Sequence, residues 1–213
     1  MKVVLVDHMG NDLTVVNAAR VSFGKHVDTF TDKDEKLIQY LAKHNHWSPF
    51  AHCFMQFRIK APIFVARQLV KHQVGLTWNE VSRRYVDDEP EYYYPTEWRG
   101  KPTNSKQGSS GKAKSQYFPN KYAQDICELA HVNYLKMIQQ GIAPEQARMI
   151  LPQNTYTEWY WSGSLMAFAR VCEQRLDPHS QEETRTIAGY IDEYIWSLYP
   201  HSYLAMKGQQ NEV

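Results

Sequence analysis

Residues 67–85 bring together side chains that are suited to binding an anion. The segment contains four cationic residues, a His, a Ser, a Glu and two Gln. Such a concentration of positive charge costs free energy through repulsion and desolvation unless an anion compensates it. Arg can hold a phosphate through two parallel hydrogen bonds, and a Ser hydroxyl adds another donor. The pattern favours a phosphate-bearing small molecule, although many basic runs are simply solvated faces.

Metal and thiol chemistry are weaker interpretations of the sequence. His44, His46 and His52 lie close together, but neither an HExxH pattern nor a CxxC pair accompanies them. We therefore predict no metal site. Cys53 and the other two cysteines, at 127 and 172, do not stand at a helix N-terminus beside cations, which is the setting that activates a thiol. All three are predicted to be small buried hydrophobic residues.

Composition narrows the class of protein. The chain has 213 residues, of which 43% are hydrophobic and 22% charged, and its net charge of +1 argues against a general nucleic-acid binder. With three scattered cysteines, no signal peptide pattern and no long apolar run, the sequence predicts a soluble cytoplasmic protein that does not associate with membranes.

The elements that must position these residues follow from periodicity and turn residues. Residues 52–60 alternate, with Cys53, Met55, Phe57 and Ile59 on one face, which predicts a half-buried strand. Helices are expected at about 13–22, at 32–44 after an Asp32/Glu35 capping box, at 62–73, from 119 or 120 to 140, from Pro144, at 162–174 and at 180–198; strands or extended segments are expected at 2–6, 79–86 and 154–161. The predicted fold is an α/β domain of the α+β type spanning residues 1–213, with a mostly antiparallel sheet flanked by long helices.

Residues 99–117 are rich in Gly, Ser and Lys. A stretch of this kind inside a compact domain is either a functional lid or a disordered insertion. Both interpretations stay open, and we predict a flexible insertion here.

Five ordered blocks make the chain resemble the flavin-dependent thymidylate synthases. The family signature is Arg-His-Arg, seven or eight residues and then Ser; this chain has Lys71-His72-Gln73, eight residues and Ser82. The five blocks around this signature are 46–52, similar to His-x-Ser/Thr-Pro-Phe-x-His, then 60–68, then 79–85 with Asn-Glu-x-Ser-x-Arg-Tyr, then 145–152, and 175–183 with Arg-x-Asp-x-His-x-Gln-x-Glu.

The chain departs from the signature at its two flanking positions. Lys71 keeps the positive charge of Arg but loses its planar fork, and Gln73 keeps only an amide. Arg170 also stands where many members carry an amide. These changes alter the expected flavin and phosphate contacts.

The resemblance implies roles for particular residues. Arg175 is the implied catalytic residue, which contacts the uracil and favours its electron-rich form. The implied dUMP-binding residues are Gln68, Lys71, Glu80, Ser82, Arg83, Arg84, Arg148 and Arg175, and the implied FAD-binding residues are His46, Ser48, Lys71, His72, Gln73, Glu80, Arg170 and His179.

The resemblance also implies a reaction and an assembly. Members of the family transfer a methylene group from methylenetetrahydrofolate to dUMP and reduce it with electrons from NADPH through FAD, without a Cys nucleophile. Their sites lie at subunit junctions of a homotetramer. Two alternatives remain: a nucleotide- or nucleic-acid-associated module that stacks bases on the aromatic segments 92–98 and 154–161, and a thiol-dependent thymidylate synthase.

Overall fold

The computed structural model describes residues 1–103 and 108–208, and its centre is an antiparallel sheet. The strands are β1 (Lys2–Met9), β2 (Phe54–Pro62), β3 (Leu76–Glu80), β4 (Arg99–Gly100), β5 (Ser110–Lys112) and β6 (Tyr156–Ser164). The helices are α1 (Asp12–Arg20), α2 (Asp32–Lys43), α3 (Ile63–Leu69), α4 (Tyr117–Gln139), α5 (Pro144–Ala147), α6 (Leu165–Arg175), α7 (Glu182–Leu198) and α8 (Pro200–Gly208). The main sheet has the order β1-β2-β6-β3 with every pair antiparallel, which confirms the predicted fold class.

The alternation in β2 creates the core face of the sheet. Met55, Phe57 and Ile59 are completely or almost completely buried, as predicted, and Cys53 is buried just before the strand begins. On the neighbouring strand β6, Trp159 and Trp161 are buried as well. Helices α6 and α7 pack over these side chains, so the sheet and the long helices share one hydrophobic core.

Several helix boundaries differ from the sequence predictions: α6 begins at Leu165, three residues after the predicted start, because β6 continues to Ser164, and α2 and α3 also differ. Helix α2 begins with a capping box made by Thr31 and Asp34, one residue before the predicted Asp32/Glu35 pair, because the Thr31 side chain and the Asp34 carboxylate each accept from the other's backbone N–H. Helix α3 ends at Leu69, four residues before the predicted end at Gln73. The chain must turn at Gly75, which has a φ of 75°, in order to pair β3 with β6.

Other segments were predicted only in part. The extended run predicted for 79–86 ends at Glu80 and is followed by a turn, in which the Ser82 carbonyl accepts from the backbone N–H of Tyr85. Helix α8 was not predicted. Between 99 and 117, strands β4 and β5 form a two-stranded ribbon, and residues 104–107 of the predicted insertion lie outside the described residues.

Among the helices of residues 1–103 and 108–208, none combines the length and the apolar character required to cross a bilayer.

Candidate functional site

Three predicted site residues meet at the C-terminal end of α3. Arg175, the last residue of α6, donates from Nε to Nε2 of His72 at 2.8 Å and from one Nη to the backbone carbonyl of Gln68 at 3.3 Å. Gln68 lies on α3 and His72 in the loop that follows it. The helix predicted to run to Gln73 is therefore too long, but the turn after α3 still brings both His72 and Gln68 into contact with Arg175.

The surroundings of His72 favour its neutral form. Partial burial lowers the pKa of His72 below its usual value, and the nearby charges of Arg175 and Arg170 lower it further. A neutral imidazole can accept at Nε2 only if its hydrogen is on Nδ1. The cluster therefore presents a guanidinium that is held in place by a neutral His.

The side chain of Gln68 is held from the other side by the first turn of α7. Its Nε2 donates to Oε1 of Gln181 at 2.6 Å, and its Oε1 accepts from the hydroxyl of Thr184 at 3.1 Å. Thr184 is completely buried. Both ends of the Gln68 amide are consequently fixed by one helix.

A second group of predicted residues lies at the far end of β3. Glu80, Arg83 and Arg148 line one cavity of about 270 Å³. Glu80 accepts hydrogen bonds from Trp78 Nε1 at 3.1 Å and from the Thr157 hydroxyl at 2.7 Å.

The turn after β3 carries the other residues of this group. The backbone N–H and Nε of Arg84 both donate to the Ser82 hydroxyl oxygen at 3.3 Å. Arg83 donates to the backbone carbonyl of Asp88 at 2.6 Å, while the Arg84 guanidinium lies over the Tyr85 ring. Exposed Arg84 and half-buried Ser82 thus form a small donor group at the surface.

A third group borders the largest cavity described, a groove of about 670 Å³. His46 and Arg170 lie at this groove with the apolar residues Trp47, Phe50 and Val74. Ser48, Lys71, Gln73 and His179, which are also predicted to bind FAD, are exposed and are not among the residues that line this groove. His179 Nδ1 lies 3.0 Å from a carboxylate oxygen of Asp177.

Strand β3 separates these groups within one chain. The loop with His72 and Gln73 precedes the strand, whereas Glu80 ends it, and five residues of strand extend over roughly 13 Å. Arg170 influences both His72 and the groove, so the first and third groups adjoin. The second group, with Arg148, lines a different cavity.

The cysteines are unsuited to nucleophilic chemistry. All three are free and buried. Burial raises the pKa of the Cys53 thiol to about 12, with a further contribution from Asp12, and burial likewise raises the pKa of Cys172 to about 12. Across residues 1–103 and 108–208, no group of three or more His, Cys, Asp or Glu side chains is arranged to hold a metal ion.

Sequence reasoning missed several residues that complete the site. Gln181 and Glu183 belong to the last resembling block, and their presence there was the signal available. Arg99 pairs with Glu183 through two hydrogen bonds of 2.7 and 2.8 Å, and Thr184 holds Gln68. Neither Arg99 nor Thr184 lies in a recognisable motif.

Comparison with known proteins gives matches along almost the whole chain. Residues 4–201 match the sequence profile of a family described as "Thymidylate synthase complementing protein". A flavin-dependent thymidylate synthase of Thermosipho africanus is 39% identical over 188 residues, covering 86% of this chain and 81% of the relative. One of Thermus thermophilus is 38% identical over 203 residues, covering 95% of this chain and 74% of the relative.

The fold also matches a solved enzyme. The crystal structure of the UMP/dUMP methylase PolB from Streptomyces cacaoi with 5-Br dUMP superimposes with a TM-score of 0.87 at 30% identity, covering 97% of this chain and 94% of that one. The same protein with 5-Br UMP gives a TM-score of 0.86 at 29% identity, covering 98% and 94%.

Proposed function

The chain belongs to the flavin-dependent thymidylate synthases, and from this premise we propose that it methylates dUMP at C5 to form dTMP, with methylenetetrahydrofolate as carbon donor, FAD as the flavin and NADPH as reductant. The observation that carries the proposal is the cluster of Gln68, His72 and Arg175. Three resembling blocks, separated by up to 107 residues, contribute one interacting side chain or backbone group each. A shared core alone does not require this polar contact.

The groove beside the cluster has the chemistry that a flavin needs. Its apolar lining of Trp47, Phe50 and Val74 suits a planar ring, and His46 and Arg170 offer hydrogen-bond donors. Its volume of about 670 Å³ lies within the range of ligand sites. Exposed Lys71 and Gln73 are the residues of this chain that we assign to the flavin's polar groups, with Ser48, His72, Glu80 and His179. Bound FAD supplies the electrons that reduce the transferred methylene to methyl.

The chain's own residues would bind and polarise dUMP. Ser82 and Arg84 provide hydroxyl and guanidinium donors for the phosphate, and we assign Gln68, Lys71, Glu80, Arg83 and Arg148 to the rest of the nucleotide. Arg175 is assigned to the uracil, where a fixed positive charge stabilises the electron-rich ring. His72 keeps this guanidinium oriented.

A homotetramer with sites at subunit junctions is part of the proposal. Of the assigned dUMP residues, Glu80, Arg83 and Arg148 line the cavity at the end of β3, whereas Gln68 and Arg175 meet at the end of α3, so we infer that a second copy completes a site. Helix α4 supports such an assembly, because Tyr122, Ile126 and Leu129 form an apolar stripe in which each side chain is at least 60% exposed. The free cysteines agree with the reducing cytoplasm that we propose as its location.

The alternatives differ in what they require. A thiol-dependent reaction requires an accessible thiolate, and the buried cysteines oppose it. UMP is a second candidate substrate, because the solved methylase of this fold carries 5-Br UMP as well as 5-Br dUMP. If the protein were a nucleic-acid-binding module, it would neither bind a flavin nor methylate a nucleotide.

The deciding experiment is anaerobic NADPH oxidation by the purified protein with methylenetetrahydrofolate, in the presence of dUMP, of UMP or of neither. We expect a yellow protein that releases FAD on denaturation and forms dTMP from dUMP. A colourless protein that takes up no added FAD and forms no methylated nucleotide would contradict the proposal. Methylation of UMP at a comparable rate would identify the second substrate.

A further inference from the structure

The first turn of α7 contacts the proposed site through residues to which the family resemblance gives no role. Gln181 and Thr184 together occupy both ends of the Gln68 amide, at 2.6 and 3.1 Å. A Gln side chain that is held in this way keeps one orientation. Its function in this chain therefore includes holding neighbouring groups in place.

The group that Gln68 holds is Arg175. The Gln68 backbone carbonyl accepts from the Arg175 guanidinium, which in turn donates to His72. A displacement of the Gln68 end of α3 would therefore move the acceptor that fixes the guanidinium. Because catalytic groups must be held to within a fraction of an ångström, such support contributes to the rate.

We propose that Thr184 is a positioning residue, which, with Gln181, locks the Gln68 amide against α7 and thereby fixes the orientation of Arg175 toward the substrate. The inference rests on the proposed function for the identity of that substrate. Thr184 is completely buried and its hydroxyl donates to Gln68 Oε1. Removing this hydroxyl leaves the half-buried Gln68 carbonyl oxygen without its donor from α7.

The chain offers a matched set of variants. Thr184→Val keeps the shape of the side chain and removes the hydroxyl, and Thr184→Ser keeps the hydroxyl. Thr186→Val removes a hydroxyl two residues along the same helix, where it donates to the Glu182 carbonyl of its own turn. All three are compared with the wild type for kcat/KM with dUMP, melting temperature and the NMR titration of His72.

We expect Thr184→Val to lower kcat/KM about tenfold, the cost of one lost and unreplaced hydrogen bond. The His72 titration should move toward the ordinary value as Arg175 is released. Thr184→Ser and Thr186→Val should stay within about twofold of the wild type and leave the titration unchanged.

Two results would overturn the inference: a Thr184→Val protein with the wild-type titration of His72, or a Thr184→Ser protein as impaired as Thr184→Val. If the wild type forms no dTMP, the proposed function fails separately. The His72 titration then still decides whether Thr184 positions Arg175.

Discussion

Arg175 donates its Nε hydrogen to Nε2 of His72 across 2.8 Å, although 103 residues separate them in the chain. The contact requires a neutral His72, because protonation would put a second hydrogen between the two donors. Burial, Arg175 and Arg170 together lower the pKa of His72, in agreement with this requirement. His72, which we assign to the flavin, thus also orients Arg175, which we assign to the uracil.

The first prediction concerns acid pH. Because the pKa of His72 is lower in the folded protein than in the unfolded chain, its lowered pKa contributes stability above the unfolded value of about 6.5, and this contribution is lost as the pH falls below that value and through the lower folded pKa. The free energy of unfolding in urea should begin to fall near pH 6.5, at about the unfolded pKa, and continue to fall at lower pH. The His72→Gln variant should lose less free energy of unfolding over this pH range than the wild type. An equal loss in both proteins would contradict the assignment of the pH dependence to His72.

The second prediction tests Arg175 directly. Arg175→Ala should lower dTMP formation by roughly 100-fold or more, because a fixed charge at the developing anion is lost. Bound FAD, measured by absorbance after gel filtration, should be retained, since Arg175 is assigned to the uracil. Arg175→Lys keeps the charge but loses the Nε donor to His72, so it should recover only part of the rate. Full turnover by Arg175→Ala would exclude its catalytic role.

How much of this arrangement sequence could predict depends on the range of each interaction. The strand at β2 was predictable because its alternation is local, and the resembling blocks supplied both His72 and Arg175. Their contact was not predictable, since it depends on α3 ending at Leu69 and on the turn at Gly75. Arg99 and Glu183 are 84 residues apart, and no periodic pattern in the sequence indicates that they form a pair.

The third prediction concerns the altered signature. Gln73 is exposed. Gln73→Arg restores the family's charge beside the groove, so FAD should bind about tenfold more tightly, which is the scale of a charge-assisted hydrogen bond. The gain should shrink as salt increases. Arg67→Gln, which removes an exposed charge from α3, is the control for a change in net charge. If Gln73→Arg leaves the FAD affinity unchanged, position 73 does not face the flavin.

The fourth prediction tests the assembly. Arg148 lines the cavity at the end of β3, whereas Arg175 belongs to the cluster at its start. If one site combines Arg148 of one subunit with Arg175 of another, Arg148→Ala and Arg175→Ala proteins should each be inactive alone. Co-expression or subunit exchange should restore part of the activity, because some sites then contain both Arg residues. Differently tagged subunits verify that mixed oligomers have formed. If these mixed oligomers remain inactive, both Arg residues belong to a site within one subunit.

The final prediction concerns the ribbon of β4 and β5, which Arg99 connects to α7. The Arg99 guanidinium donates two hydrogen bonds to the almost completely buried Glu183 carboxylate and one, at 2.9 Å, to the Ser109 hydroxyl. Burial alone would raise the pKa of Glu183, but the hydrogen bonds and charge of Arg99, together with hydrogen bonds from the Glu183 backbone and Gln181, outweigh it and lower the pKa below the usual value. The pair therefore holds the ribbon against the helix turn that carries Thr184.

Breaking this pair should destabilise the protein far more than breaking an exposed pair of the same ribbon. Arg99→Gln leaves Glu183 buried without its cation, at a cost of about 3 kcal/mol in the free energy of unfolding. The control is Glu97→Gln, which removes the exposed contact with Lys112 at 3.3 Å and should cost less than about 0.5 kcal/mol. Because the lowered pKa of Glu183 contributes stability above its unfolded value of about 4.5, wild type should approach Arg99→Gln in stability as the pH falls below it. Urea unfolding of the three proteins at neutral and acid pH measures both effects, and equal losses in the two variants would show that the ribbon is not held by Arg99.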